Sequence, residues 1–239
     1  MSDSAPLTPA ELRSDRAESA RLDNFVDGAF AFAITLLVIS GASLPRNVAA
    51  LEHALRGIPA FAACFAQLAI FWHGHVRWRD TVQLADGTSL RLSLLLVFFA
   101  LIFVFPLHLV YASFFSAMTH GWLSPDFALA SISLQALAAL FACYGLSYAC
   151  MAGTLALLSR HGVRNGNLTY ADAISVHISM VAWAYYAGIG LLSALIAMVA
   201  LATGAGWLIA VAGFSYALLG FTHGIANRYR ARIGQGQNP

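Results

Sequence analysis

The segment from Arg21 to Pro45, RLDNFVDGAFAFAITLLVISGASLP, constrains this chain more than any other. It is apolar for long enough to cross a bilayer, yet Asp27 stands near its start. A carboxylate at membrane depth costs about 2.5–3.5 kcal/mol on insertion scales unless a partner or water meets it. On a helix advancing about 100° per residue, Phe25, Gly28, Ala29, Phe32, Leu36 and Ile39 share one face, with Thr35 on its flank. Asp27 falls on the reverse side. The helix is therefore expected to have an apolar stripe with one hydroxyl, and a back carrying a buried acid. For this segment alone, a signal anchor with an isolated acid is the simpler alternative.

The rest of the chain decides against a soluble fold. It has 239 residues, 59% hydrophobic and 10% charged, with a mean hydropathy of +0.71. Soluble domains carry about 25% charge, so this is an all-α integral membrane protein by composition. Hydropathy places six spans at about 24–44, 57–77, 91–113, 128–158, 173–202 and 205–225. Residues 1–23 form an N-terminal segment, 24–226 one transmembrane domain, and 227–239 a tail. Thr8-Pro9-Ala10-Glu11 reads as a capping box with Pro in the first helical turn, so a helix is expected to start there and run into the first span. A signal peptide is not expected, because the segment before the apolar run is long and mixed in charge.

Six spans put both termini on one side, and charge chooses the side. All 13 basic residues are Arg, and their net of +2 with the acids implies no nucleic-acid partner. Only Arg46 and Arg56 fall opposite the termini, leaving eleven on the terminal side. The positive-inside rule then makes both termini cytoplasmic in a multi-pass protein of the cell membrane. Glu52 and Arg56 read as an exposed i, i+4 pair in an outer loop. Pro106 inside the third span is expected to kink it or free a carbonyl.

Span two ends in Ile70-Phe71-Trp72-His73-Gly74-His75, near the cytoplasmic end of a helix antiparallel to the first. His73 and His75 at i, i+2 point to different faces and are no zinc pair, which wants i, i+4. One of them is placed to meet Asp27, the alternative being a solvent-facing interfacial His. Cys64, Cys143 and Cys150 lie inside apolar runs as small packing residues. His108, His177 and His223 occur singly on different spans. A bis-His haem site between His177 and His223 stays open as an alternative. No phosphate-binding loop, hydrolase motif or Thr-Val-Gly-Tyr-Gly filter is present, so no enzyme, ATP-driven pump or carbonyl-lined potassium filter is expected. Intramembrane acids beyond Asp27 are nearly lacking, which argues against a proton-coupled carrier.

Arg21, Phe25, Asp27-Gly28, Phe30-Ala31 and Ala33-Ile34-Thr35-Leu36-Leu37-Val38 together resemble the first-helix signature of the prokaryotic transmembrane protein 175 family of potassium channels. Val26 stands where the family usually has Ser, and Phe32 where it usually has an aliphatic residue. Phe71, Trp72 and His75 resemble the family's second-helix motif. The resemblance implies a homotetramer in the bilayer, six helices per subunit, with the first helix of each around a central pore that conducts potassium passively. It implies that Arg21, Asp27, Trp72 and His75 form a polar network behind the pore helix, and that the Thr35 layer helps choose potassium. No cofactor is implied. Independently, a ring of identical first helices would put Phe32, Leu36 and Ile39 on a symmetry axis as a hydrophobic constriction. The competing class is a non-conducting module, a haem protein or a carrier, which a Soret band in purified protein would reveal. The topology is directly testable: a reporter fused after Pro239 is expected to be cytoplasmic, and a periplasmic signal would remove the span count or the orientation.

Overall fold

The computed structural model describes residues 9–41, 46–125 and 132–221. The N-terminal residues 1–8, the span edges 42–44, 128–131 and 222–225, His223 and the tail 227–239 lie outside the described residues. Seven α-helices follow one another: α1 (Pro9–Gly41), α2 (Val48–Leu55), α3 (Ile58–Val82), α4 (Gly87–Met118), α5 (Leu134–Asn165), α6 (Tyr170–Thr203) and α7 (Trp207–Phe214). A 3-10 stretch, Ser215–Phe221, closes the described chain.

Local chemistry sets most of the boundaries. α1 starts at Pro9, whose missing N–H is no loss in a first turn, and runs unbroken into the apolar segment. Side chains cap four of the others. Asn47 accepts from Ala50 N at 2.8 Å, Asp86 from Ser89 N at 2.9 Å, Ser133 from Ala136 N at 3.1 Å and Thr169 from Asp172 N at 3.2 Å. α6 stops at Gly204, whose φ of 70° suits a residue without Cβ. α2 and α3 meet at a 46° bend. There Arg56 pairs with Glu52 at 2.7 Å, lies over the Trp122 ring, and accepts Ser124 N on its carbonyl at 3.2 Å. The outer break is thus tied to the loop after α4.

Among the described residues four helices are long and apolar enough to cross a membrane, or five where the bent α2–α3 pair counts as one span. Of the expected sixth run, 205–225, the described part Trp207–Gly220 is an apolar helix, and residues 222–225 lie outside the described residues. The fourth helix, expected over 128–158, begins later, at Leu134, and runs on to Asn165. Ser133 fixes that start by capping it, and the polar turn after His161 extends the end beyond the apolar run.

In lipid, helices gain little from hiding apolar surface, so association rests on close packing and polar contacts. α5 and α6 show this most clearly. A Cβ on Gly145 would lie 2.7 Å from the Gly190 carbonyl, and one on Gly190 would lie 2.8 Å from the Gly145 carbonyl. Ala149 and Ala194 continue the small stripe one turn along each helix. Around this seam Phe71 of α3 packs on Phe103 of α4, Tyr148 of α5 and Trp183 of α6, with ring centroids 6.0, 5.3 and 5.5 Å away. Gly145→Val is expected to push backbone apart where no flexible side chain can yield. The purified variant should lose folded yield and several degrees of thermal midpoint, whereas Gly188→Val, in open space, should behave as wild type.

Candidate functional site

The first helix divides sharply. Val26, Phe30, Ala33 and Leu37, at i, i+4, i+7 and i+11, are at most 2% exposed and pack against the core. The opposite stripe has no cover within one chain: Phe25 is 54%, Phe32 55% and Ile39 68% exposed, with Thr35 exposed and Leu36 half-buried. Phe25, Phe32 and Ile39 thus share an uncovered face among the described residues, while Ala29 and Leu36 lie at its edge and pack partly against the core. Thr35 Oγ1 donates to the Ala31 carbonyl at 2.9 Å. Its hydrogen is spent on its own helix, but its lone pairs are still presented outward.

The polar side chains near the inner end of α1 are arranged differently from the expected network. Asp27 is exposed, not buried: about 100° around from Val26, it sits at the edge of the packed face rather than within it. Trp72 of α3 donates its Nε1–H to Asp27 at 2.8 Å. His75 is 2% exposed but turns to α4, where its Nε2 lies 3.0 Å from Ser93 Oγ. Arg21 is six residues, about 240°, from Asp27 and lines a cleft between α1 and α4 with Phe25, Asp86 and Leu90. Within one chain, Asp27 and Trp72 are joined, while Arg21 and His75 each face other neighbours.

Two pairs at this end escaped the sequence reading. Arg79, counted there as a surface charge, is 7% exposed. Its Nε donates to Asp23 at 2.7 Å and its Nη1 to the Leu84 carbonyl at 2.9 Å. Spacing carried a signal for it: Asp23 and Asp27 are one turn apart on α1, Trp72 and Arg79 two turns apart on antiparallel α3, and the long Arg makes up the difference. The second pair joins the start of α4 to the end of α5, His161 Nε2 lying 2.7 Å from Asp86 Oδ2. No sequence pattern linked residues 75 apart. His108 and His177 stand on α4 and α6.

These features define an all-helical, multi-pass membrane protein whose first helix is pinned at one end and keeps an apolar stripe uncovered. Residues 21–106 match the family model described as the endosomal/lysosomal potassium channel TMEM175. A protein of Marivirga tractuosa named "Potassium channel" is 33% identical over 104 residues, and the match spans 44% of this chain and 41% of that protein. The crystal structure of a variant of the potassium channel MtTMEM175, in complex with a Nanobody-MBP fusion protein, shares the fold. Its TM-score is 0.73 over 89% of this chain and 93% of that one, at 24% identity. The family-model match includes Arg21–Val38 and Phe71–His75, the residues that resemble the family's first- and second-helix motifs.

Asp86 makes one contact testable by pH. Burial works against its charge, but the Ser89 hydroxyl and N–H and the His161 ring outweigh it and hold the carboxyl below its usual range. A depressed pKa contributes stability above the ordinary carboxylate range, and that contribution is lost as pH falls through the folded value. Thermal midpoints in detergent should therefore fall more steeply with acid in wild type than in Asp86→Asn, and the two curves should converge at low pH. Parallel curves would remove the contact from the stability of this end.

Proposed function

We propose that this chain is a subunit of a potassium-selective channel of the cell membrane. Six helices per subunit, a homotetramer and cytoplasmic termini complete the proposal. The observation that carries it is the uncovered stripe of α1, which lies inside the 21–106 family match. Among the described residues nothing covers Phe25, Phe32 and Ile39, and four copies around an axis would give each stripe the other three.

Phe32, Leu36 and Ile39 would form the constriction. A cation facing only hydrocarbon loses hydration without replacement, so it passes with water attached and the rings act as dewetting gates. Thr35 is the neighbouring oxygen on that face. Because its hydrogen is committed to Ala31, it offers only lone pairs, which suits a partly hydrated cation. Phe32 narrows a layer that is aliphatic in related first-helix signatures. Behind the stripe, Asp27 with Trp72 holds the helix orientation, and Arg21 and His75 complete the polar end from neighbouring positions.

The test is current in planar bilayers under asymmetric potassium and sodium. The reversal potential should lie towards the potassium value. Leu36→Ala should raise potassium current, and Thr35→Val should lower the preference for potassium over sodium. Cysteines at Phe32, Leu36 and Ile39 should be blocked by silver entering the path. Silence at all three positions would take the first helix off the conduction path.

A further inference from the structure

Away from α1, the ends of α3 and α5 and the start of α6 enclose an open cleft of about 430 Å3. Its walls divide by chemistry. Ile70, Ala182 and Trp183 line its apolar part, while His73, Arg77, Ser175 and Ser179 line its polar part. The cleft exists because Trp183 lies flat against α3 at Gly74, where any Cβ would run into the indole, and because Trp183 stacks on Phe71 behind it. The side chains forming it lie within the last turns of α3 and α5 and the first four of α6, so it opens at the membrane boundary on the Arg-rich end.

The donors in the cleft lack acceptors. No Asp or Glu lines it. Ser179 Oγ donates to the Ser175 carbonyl at 3.0 Å and Ser159 Oγ to the Leu155 carbonyl at 2.9 Å, so those hydroxyl hydrogens are spent. What is left is the exposed Arg77 guanidinium, the exposed His73 ring and the Ser175 hydroxyl. Trp78 lines the cleft and is only 4% exposed, and its Nε1–H has no hydrogen-bond partner among the described residues. That nitrogen is sealed against Gly162, which lies outside the cleft lining, so the indole forms wall and the charged donors are Arg77 and His73. We propose that this cleft binds the anionic headgroup of a membrane phospholipid, with Arg77 and His73 on the phosphate and the acyl chains leaving along Trp183 and Ile70. Basic pockets between helices at the cytoplasmic boundary are suited to such headgroups. The size takes a headgroup and the first chain carbons, with the rest in the bilayer. The proposal stands apart from the channel reading, because its readout is lipid binding and not current.

The experiment is native mass spectrometry of the full-length purified protein with dioctanoyl phosphatidylglycerol. Binding should exceed that of dioctanoyl phosphatidylcholine about tenfold. Arg77→Gln, at the exposed rim, should lose about the same factor, and Ser179→Phe, which fills the cleft, should lose it too. Arg164→Gln, an exposed Arg outside the cleft, should retain binding. Equal loss in Arg164→Gln would overturn the proposal in favour of diffuse charge attraction. So would glycerol phosphate binding as tightly as the lipid, since the site would then take the free phosphate. Undiminished binding in Arg77→Gln overturns it whether or not Ser179→Phe folds.

Discussion

A helix in a bilayer cannot be held by escape from water, because the lipid around it is as apolar as its neighbours. For α1 the fixed point is ionic: Arg79 gives its guanidinium to Asp23 and to the Leu84 carbonyl while almost fully desolvated. Removing one member of a buried pair costs about 3–5 kcal/mol, because the other is left charged and unpaired. Asp23 is 40% exposed on its side chain, so solvent screening puts the cost for this pair below that range. Even so, the energy is a large share of a typical domain's stability. Asp27 with Trp72 adds a second tether one turn further along. Two tethers one turn apart fix rotation as well as position, and so decide which stripe of α1 packs and which stays open.

The rotation matters more than the number of contacts. Val26, Phe30, Ala33 and Leu37 fill the groove beside α4 and α3, and turning the helix by one residue would exchange Val26 for Asp27 in that groove. A carboxylate there would have no acceptable partner among the apolar side chains of the core. The acid and the stripe thus specify one orientation together: the acid forbids the wrong packing and the small and branched residues fill the right one.

Much of this was legible in the sequence and the rest was not, for identifiable reasons. The helical period of residues 25–39 sufficed to separate the uncovered stripe from the packed one, because burial follows period. It placed Asp27 on the back but could not say that the back is only partly covered, since coverage depends on where α3 and α4 lie. Arg79 looked like one more cytoplasmic charge, because a count by side treats every Arg alike and ignores depth. The Asp86–His161 pair joins residues far apart in sequence, and only the fold brings them together.

α1 has a further mechanical consequence. Its 33 residues form one unbroken helix, about 50 Å from end to end. The hydrocarbon core is about 30 Å thick, so the helix extends well beyond it. Its sequence between Pro9 and Gly41 has no internal proline to act as a hinge. A torque applied to the protruding end cannot be absorbed along the rod. It reaches the Asp23–Arg79 and Asp27–Trp72 tethers, which take the load ahead of the packed stretch from Val26 to Leu37.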